Sequence, residues 1–307
     1  MIIVDHDEVE RVGTRVYEGS FVTDVKSFPV EPWPEQGNHA AHFNLSGNRL
    51  LRAHIMAVPP GERKPTHRHV NEAVIYIPTG HGYSIVQQEG KLERRLDFQE
   101  GSLFSPPLNA YHGHYNGDAQ QWVRYFVVTN MPLNQVVYGV GERKIYERFV
   151  FGSPFLFTER YNGEENYFSV NERLGPCRWK VNYVKDINEI PLDPSPERGA
   201  GARTMHLEMV GNTTVDVQIS EIPPGGCQVA HQHIHEEIIH FFQGEGYTVI
   251  RRAGERERRK YLWHAGSLLS PPRNSVHQHF CTSREPARYL SIQTEKLMKA
   301  MGIEARQ

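Results

Sequence analysis

Cysteine is scarce in this chain. There are three (Cys177, Cys227 and Cys281) in 307 residues, with no Cys-x-x-Cys spacing. An odd count without paired spacing argues against a disulfide framework and suits a reducing compartment. Long apolar runs are lacking too: none approaches the roughly 20 residues that a membrane-spanning helix needs. The N-terminal stretch MIIVDHDEVERV reaches its first charge after Ile2, Ile3 and Val4. It does not read as a secretory signal, so a soluble, cytoplasmic protein is expected. An excess of one charge is also missing, since the formal net charge is −2. That argues against nucleic acid or an anionic membrane as partner. The runs ERERRK (255–260) and KLERR (91–95) mix both signs and read as solvated edges or loops. Sustained helical periodicity is nearly absent, apart from short stretches such as 294–305.

Histidine is what the chain has in quantity. There are 17, and they cluster. The densest cluster, HQHIHEEIIHFFQGEG (231–246), runs into an alternating apolar stretch that ends in glycines.

The chain also contains one unit twice. PPGERKPTHRHVNEAVIYIPTGHGYSIVQQEG (59–90) aligns without a gap to PPGGCQVAHQHIHEEIIHFFQGEGYTVIRRAG (223–254) at a constant offset of 164. After one inserted residue, GSLFSPPLNAYHGHYN (101–116) pairs with GSLLSPPRNSVHQHFC (266–281), and VRYFVV (123–128) with ARYLSI (287–292). A period this long means two tandem domains rather than a solenoid. Short alternating strands broken by Gly, Pro and Asn turns predict an all-β sandwich or barrel for each. The expected domains are 1–145, with a core at about 50–130, and 146–307, with a core at about 205–293. The segment 131–200 includes the aromatic-rich FVFGSPFLFTERY (149–161). It is expected to pack, pairing with the second barrel or covering a barrel mouth. Residues 1–50 are expected to do the same for the first.

On a strand, residues i and i+2 share a face. His67 and His69 therefore project together, as do His231 and His233. A third histidine, His112 or His277, arrives from a distant hairpin after a Pro-x-Asn turn. Glu237 stands four residues beyond His233. Three imidazoles, or three plus a carboxylate, match the preferences of Fe, Mn, Ni or Zn. Three buried imidazoles without a partner would leave polar groups unpaired. His114 and His279 follow the third histidine at i+2 and are candidate acid/base groups or supports for the ligands. Arg52, His54 and Met56 alternate ahead of the first motif and are candidates to line the first pocket, Arg52 and His54 in catalytic roles. Parity turns Glu72, Glu236 and His240 away from the ligands. His235 falls in a connection and has Asn71 as its counterpart. Arg124 and Arg288 occupy equivalent places, and repetition favours a shared structural role.

These residues carry a resemblance. Gly225, His231, His233, Glu237 and Gly244, followed by Gly266, Pro272, Asn274 and His277, resemble the two-part signature of the cupin superfamily. Asn274 replaces the second-motif glycine and Cys281 the final asparagine. Asn tolerates positive φ, so the turn should survive. The first copy matches at Gly61, His67, His69, Gly80, Gly101, Pro107, Asn109, His112 and Asn116. Ala73 stands where the glutamate ligand belongs. The chain thus resembles a bicupin, which implies two double-stranded β-helix (jelly-roll) barrels, often paired as homo-oligomers. The implied metal ligands are His67, His69 and His112 in one barrel, and His231, His233, His277 and Glu237 in the other.

A bicupin with three-histidine sites resembles the ring- and C–C-cleaving dioxygenases of the superfamily, including the gentisate type. The resemblance implies Fe(II), with Mn(II), Ni(II) or Zn(II) as alternatives. It also implies a small anionic aromatic or enolic substrate and O2. Two other readings stand beside it. One is a Mn-dependent bicupin of the oxalate-decarboxylase type, whose two complete three-His-one-Glu sets Ala73 breaks. The other is a metal-dependent isomerase, hydrolase or small-ligand binder that needs no oxygen.

Overall fold

The computed structural model describes residues 3–5, 14–88, 92–138, 167–209 and 211–303. The aromatic stretch 149–161 lies outside the described residues. Each sequence repeat forms a barrel of two facing sheets. In the first, strands Asn38–Leu45, Arg52–Val58, Val123–Thr129, Ala73–Thr79 and Leu103–Phe104 lie side by side. Strands Arg94–Phe98, Gly82–Gln87, Tyr111–Asn116 and Arg63–His67 form the facing sheet. The second barrel repeats this order with Arg203–Glu208, Asp216–Ile222, Ala287–Gln293, Glu237–Gln243 and Leu268–Leu269. Arg259–His264, Glu245–Arg251 and Val276–Cys281 face them. This is the all-β, two-barrel architecture expected from the repeat.

Burial follows strand position. Ala73–Thr79 is buried at every position but the last, whereas Gly82–Gln87 alternates. A strand covered on both faces tolerates a continuous apolar run, while one wetted on a single face alternates. The larger sheets are covered twice because the barrels pack against each other through them. Ile75, Ile77, Tyr125 and Val127 belong to the first barrel's interior cluster, and Ile239, Phe241 and Tyr289 to the second's. Their strand neighbours of opposite parity, Val74, Tyr76 and Phe126 with Ile238, Leu290 and Ile292, join in one shared cluster between the barrels.

"Away from the ligands" therefore means into the other barrel. His240 packs against Tyr76 and Phe126, with ring centroids at 5.0 and 5.5 Å. Glu72 accepts from the backbone N–H groups of Thr213, Thr214 and Val215 and from both threonine hydroxyls, at 2.6–3.1 Å. Glu236 reciprocates, accepting from the N–H groups of Arg49, Leu50 and Leu51 at 2.7–2.9 Å. Both carboxylates are buried. A buried carboxylate persists only where several donors replace its water.

The flanking segments cross over. Phe21–Val22 pairs with Leu268–Leu269 of the second barrel, and Tyr183–Val184 with Leu103–Phe104 of the first. Other parts of these segments stay with the barrel next to them in sequence: Asn38–Leu45 pairs with Arg52–Val58, and Arg178–Val181 with Arg203–Glu208. The two-residue arms exchange partners because each is seated on the free edge of the opposite sheet. Arg124 and Arg288 fasten these arms. Arg124 donates to the carbonyls of Val25 and Phe28, and Arg288 to Asn188 O and to Glu221.

Two repeated glycines mark close strand approaches. A Cβ on Gly82 would lie 2.0 Å from Tyr115 O, and one on Gly246 would lie 2.0 Å from Phe280 O. Each barrel ends in a short helix, Met131–Tyr138 or Glu295–Ala300. Among the described residues no helix is long and apolar enough to cross a membrane.

Candidate metal centres

Strand pairing brings the expected histidines together. His67 is the cross-strand partner of His112, and His231 bridges to His277. His69 and His233 follow at i+2. The turns are held by Asn109 (φ 56°) and Asn274 (φ 60°), whose N–H groups donate to His69 O and His233 O. Asparagine thus does replace glycine at positive φ. Within each triplet the candidate ligand atoms all lie within 4.8 Å of one another.

All six rings are oriented in the same way. Their Nδ1 atoms meet the carbonyls of Pro65, Asn71 and Ala110 in the first barrel, and of Val229, His235 and Ser275 in the second, at 2.9–3.1 Å. A carbonyl only accepts, so each Nδ1 carries a proton and Nε2 is the nitrogen turned to the centre, with a lone pair in every ring but His233, whose Nε2 faces the Glu237 carboxylate. Burial, aided in the first barrel by the Lys64 charge, lowers the pKa of His67 and His69; burial and its histidine neighbours lower that of His112. Burial likewise lowers His231 and His277. Neutral imidazoles with converging lone pairs are what a divalent transition metal takes. His277 Nε2 is buried with no hydrogen-bond partner, as a ligand nitrogen would be before its metal binds.

The second triplet has a carboxylate and the first has none. Glu237 Oε2 lies 3.1 Å from His233 Nε2 and 3.8 Å from His277 Nε2, and Ser291 donates to Oε1. Burial pushes the Glu237 pKa up, but His233, His277 and Ser291 outweigh it and hold the group well below the usual carboxylate range. Burial alone would lower His233, and Glu237 reverses that and raises it. His235, expected to be a bystander, stacks on His233 at 3.8 Å with nearly parallel planes.

Where Glu237 stands in the second barrel, Ala73 in the first lines a cavity beside the triplet. Met56, Ile75, Val127 and Met131 supply apolar wall, and Lys64, His54 and His114 polar wall. Lys64 is buried, and burial brings its pKa down to about 7; its Nζ lies 3.6 Å from Met56 Sδ. Tyr125 and Thr129 also line the cavity, and Tyr125 Oη and Thr129 Oγ1 are buried with no hydrogen-bond partner. In the second barrel the equivalent tyrosine hydroxyl is paired, although Gln228 Nε2 is left without a partner. Tyr289 donates to Gln228, which replaces Lys64, and Gln218 donates to Ser220, which replaces Met56.

Of the residues expected to act beside the ligands, His54 and His114 line the first cavity. Arg52 does not. It lies two residues along the strand from His54, roughly 7 Å, and is buried near His42, whose pKa its charge helps to lower. His114 Nδ1 is bonded to Ser84 Oγ at 2.8 Å, and His279 Nδ1 to Thr248 Oγ1 at 2.7 Å. Sequence reasoning missed Lys64 and Tyr125. Comparing the copies could have exposed Lys64, since a cation stands there where the other copy has Gln228.

Residues 218–293 match the family model described as Cupin domain. The second barrel is a cupin domain, and the chain has the two-barrel bicupin fold. Among solved structures it is similar to the formate complex of oxalate decarboxylase from Lactobacillus farciminis. That match has 16% identity and a TM-score of 0.59, and covers 90% of this chain and 86% of that one. It is also similar to oxalate decarboxylase from Bacillus subtilis, described with Mn(II) centres. There the identity is 14% and the TM-score 0.58, with 90% of this chain and 77% of that one covered. At these identities the likeness speaks for the fold.

Proposed function

We propose that the chain is a metal-dependent enzyme whose substrate, a small aromatic or enolic acid, binds in the first barrel's cavity beside a metal held by His67, His69 and His112. The finer reading is an Fe(II)-dependent dioxygenase. The observation that carries it is the contrast between the barrels: the first has a cavity beside its triplet, lined by Ala73 and Val127 with an unpartnered Tyr125 hydroxyl, whereas at the same places in the second Glu237 is bonded to Ser291 and Tyr289 to Gln228. Buried polar atoms without partners are costly, and a ligand that pairs with them recovers that cost.

The chain's own residues account for binding and orientation. Lys64 supplies positive charge in a site of low dielectric and favours an anion. Met56, Ile75, Val127 and Met131 exclude water from the body of the substrate. Tyr125 and Thr129 present hydroxyls that orient its polar edge. Three neutral imidazoles leave the metal its full charge, and Ala73 leaves room beside it. The metal would supply the redox partner between an electron-rich acid and O2.

A second reading rests on the other barrel. His231, His233, His277 and Glu237 together match the ligand set expected of Mn-dependent oxalate decarboxylases, and the similar solved structures bear that name. On this reading the second site turns over a small dicarboxylate by decarboxylation.

One experiment separates the two. Metal content is measured on protein purified without oxygen. Oxygen uptake is then followed with catechols, gentisate-like acids and β-diketones, and CO2 release with oxalate. Iron with oxygen uptake supports the first reading, and manganese with CO2 release the second. Turnover without oxygen on the first panel would point to an isomerase or hydrolase.

A further inference from the structure

His54 is one of the few polar residues of the first cavity that the metal ligands do not explain. Its Nδ1 lies 3.1 Å from Nδ1 of His42, its cross-strand partner on Asn38–Leu45. Both rings are buried, and His42 is fully so. With Nδ1 taken by His42, Nε2 is the nitrogen that His54 has left for the cavity it lines. On its far side His42 meets the Trp33 ring at 4.8 Å and 85°, and its Nε2 is buried with no partner. The second barrel has no such pair. There His206 faces Gln218, which is engaged with Arg198 and Ser220.

An Nδ1–Nδ1 contact holds one proton, and its position decides what each ring shows at Nε2. Burial, with the charges of Arg52 and Lys64 nearby, brings the pKa of His42 down to about 3, and burial together with His42 and the same two charges holds that of His54 well below the usual histidine range, so both rings are neutral. If His54 donated, His42 would need its proton on Nε2, where nothing accepts it. If His42 donates, its Nε2 is a bare lone pair, and His54 carries its proton on Nε2. A buried N–H without an acceptor is rarer than an under-used acceptor.

We infer that His42 locks His54 in the Nε2–H tautomer, so that His54 presents a neutral hydrogen-bond donor to an anionic oxygen of the acid bound in the first cavity. This tautomer is opposite to that of the six ligand histidines, whose Nδ1 atoms face carbonyls. His54 then acts on the substrate as a donor and not as a base, and His42 is its positioning residue. The substrate half of the inference rests on the proposed function, whereas the tautomer half does not.

The test is long-range 1H–15N NMR on the full chain, labelled in its histidine rings and loaded with diamagnetic Zn(II). His54 is identified as the signal lost in His54→Gln. In the unaltered protein its Nε2 should be protonated and its Nδ1 bare; a proton on Nδ1 overturns the inference. His42→Leu should move His54 toward the mixed tautomers of free imidazole, and no change would remove His42 from the role. His42→Asn places an amide nitrogen where Nδ1 stood and should keep the original pattern, which guards against a leucine variant that fails to fold. Salicylate then serves as the probe acid. Its binding should shift the Nε2 proton, and His42→Leu should weaken that binding about tenfold, as loss of a charge-assisted hydrogen bond does. Binding seen by calorimetry without that shift overturns the donor role. No binding at all overturns the donor role together with the cavity reading, while the tautomer result stands.

Discussion

The two barrels share strand order, histidine triplets and the orientation of every ligand ring, yet they differ in what surrounds the triplets. Around the first stand Met56, Lys64, Ala73 and Val127; around the second, at the same places, stand Ser220, Gln228, Glu237 and Ser291. In the second set Ser291 donates to Glu237 and Gln228 accepts from Tyr289, while the first leaves Tyr125 Oη and Thr129 Oγ1 unpaired beside a buried lysine. A duplicated fold can thus keep one geometry for holding a metal and vary the wall around it. On the proposed function, that wall is what opens the first site to a substrate.

The largest effect should come from removing one triplet at a time. His67→Ala is expected to lower turnover by ~100-fold or more, since even groups that only support a ligand cost 10–100-fold. His231→Ala should remove the second metal with far less effect on turnover. Metal content and rate measured together decide this. Loss of all activity from the His231 change alone would sink the first-site assignment and favour the decarboxylase reading.

Swapping the distinguishing residue sharpens the contrast. Ala73→Glu should make the first site like the second, with metal released more slowly to a chelator and turnover reduced by roughly 10-fold or more. Faster metal loss on that change would contradict the role given to the carboxylate.

The clasp between the barrels comes next. Glu72→Ala strands the donors of Thr213, Thr214 and Val215 and should destabilise by about 3 kcal/mol or more. Glu236→Ala strands three N–H groups and should cost somewhat less. Urea unfolding measures both, and a cost below about 1 kcal/mol for Glu72→Ala would mean that water reaches the vacated site.

The smallest effect is a pH dependence of metal-free protein. Burial holds His42, His114, His240 and His279 down to about 3. The unfolded chain takes up protons at these rings from about pH 6.5 downward, while the folded chain does not until about pH 3. Their contribution to stability is therefore present above about pH 6.5 and is lost as pH falls toward 3. His240→Phe, set among Tyr76 and Phe126, should flatten this dependence slightly. An unchanged slope of the urea midpoint against pH would show that His240 is not held neutral by burial.

Much of this was legible in the sequence, because the repeat and strand parity are local. Parity alone separated Glu237 from Glu236, and the asparagines at 109 and 274 announced their turns. Other features were not legible. Nothing near Glu72 shows that its solvent is a loop 141 residues away. The crossing of Phe21–Val22 and Tyr183–Val184 to opposite barrels depends on which sheet edge lies closest in space. Arg52 shares parity with His54 but lies off the cavity, because parity selects a face and not a depth along it.

The sequence by itself determined two barrels, two triplets and the missing carboxylate, since each follows from residue type and spacing along a strand. Only the tertiary structure decided that the outward faces are buried against each other, that Lys64 is sunk in the first cavity and that His42 reaches His54. Those facts arise from surfaces brought together across long stretches of chain, where burial turns an ordinary polar side chain into one that must find a partner.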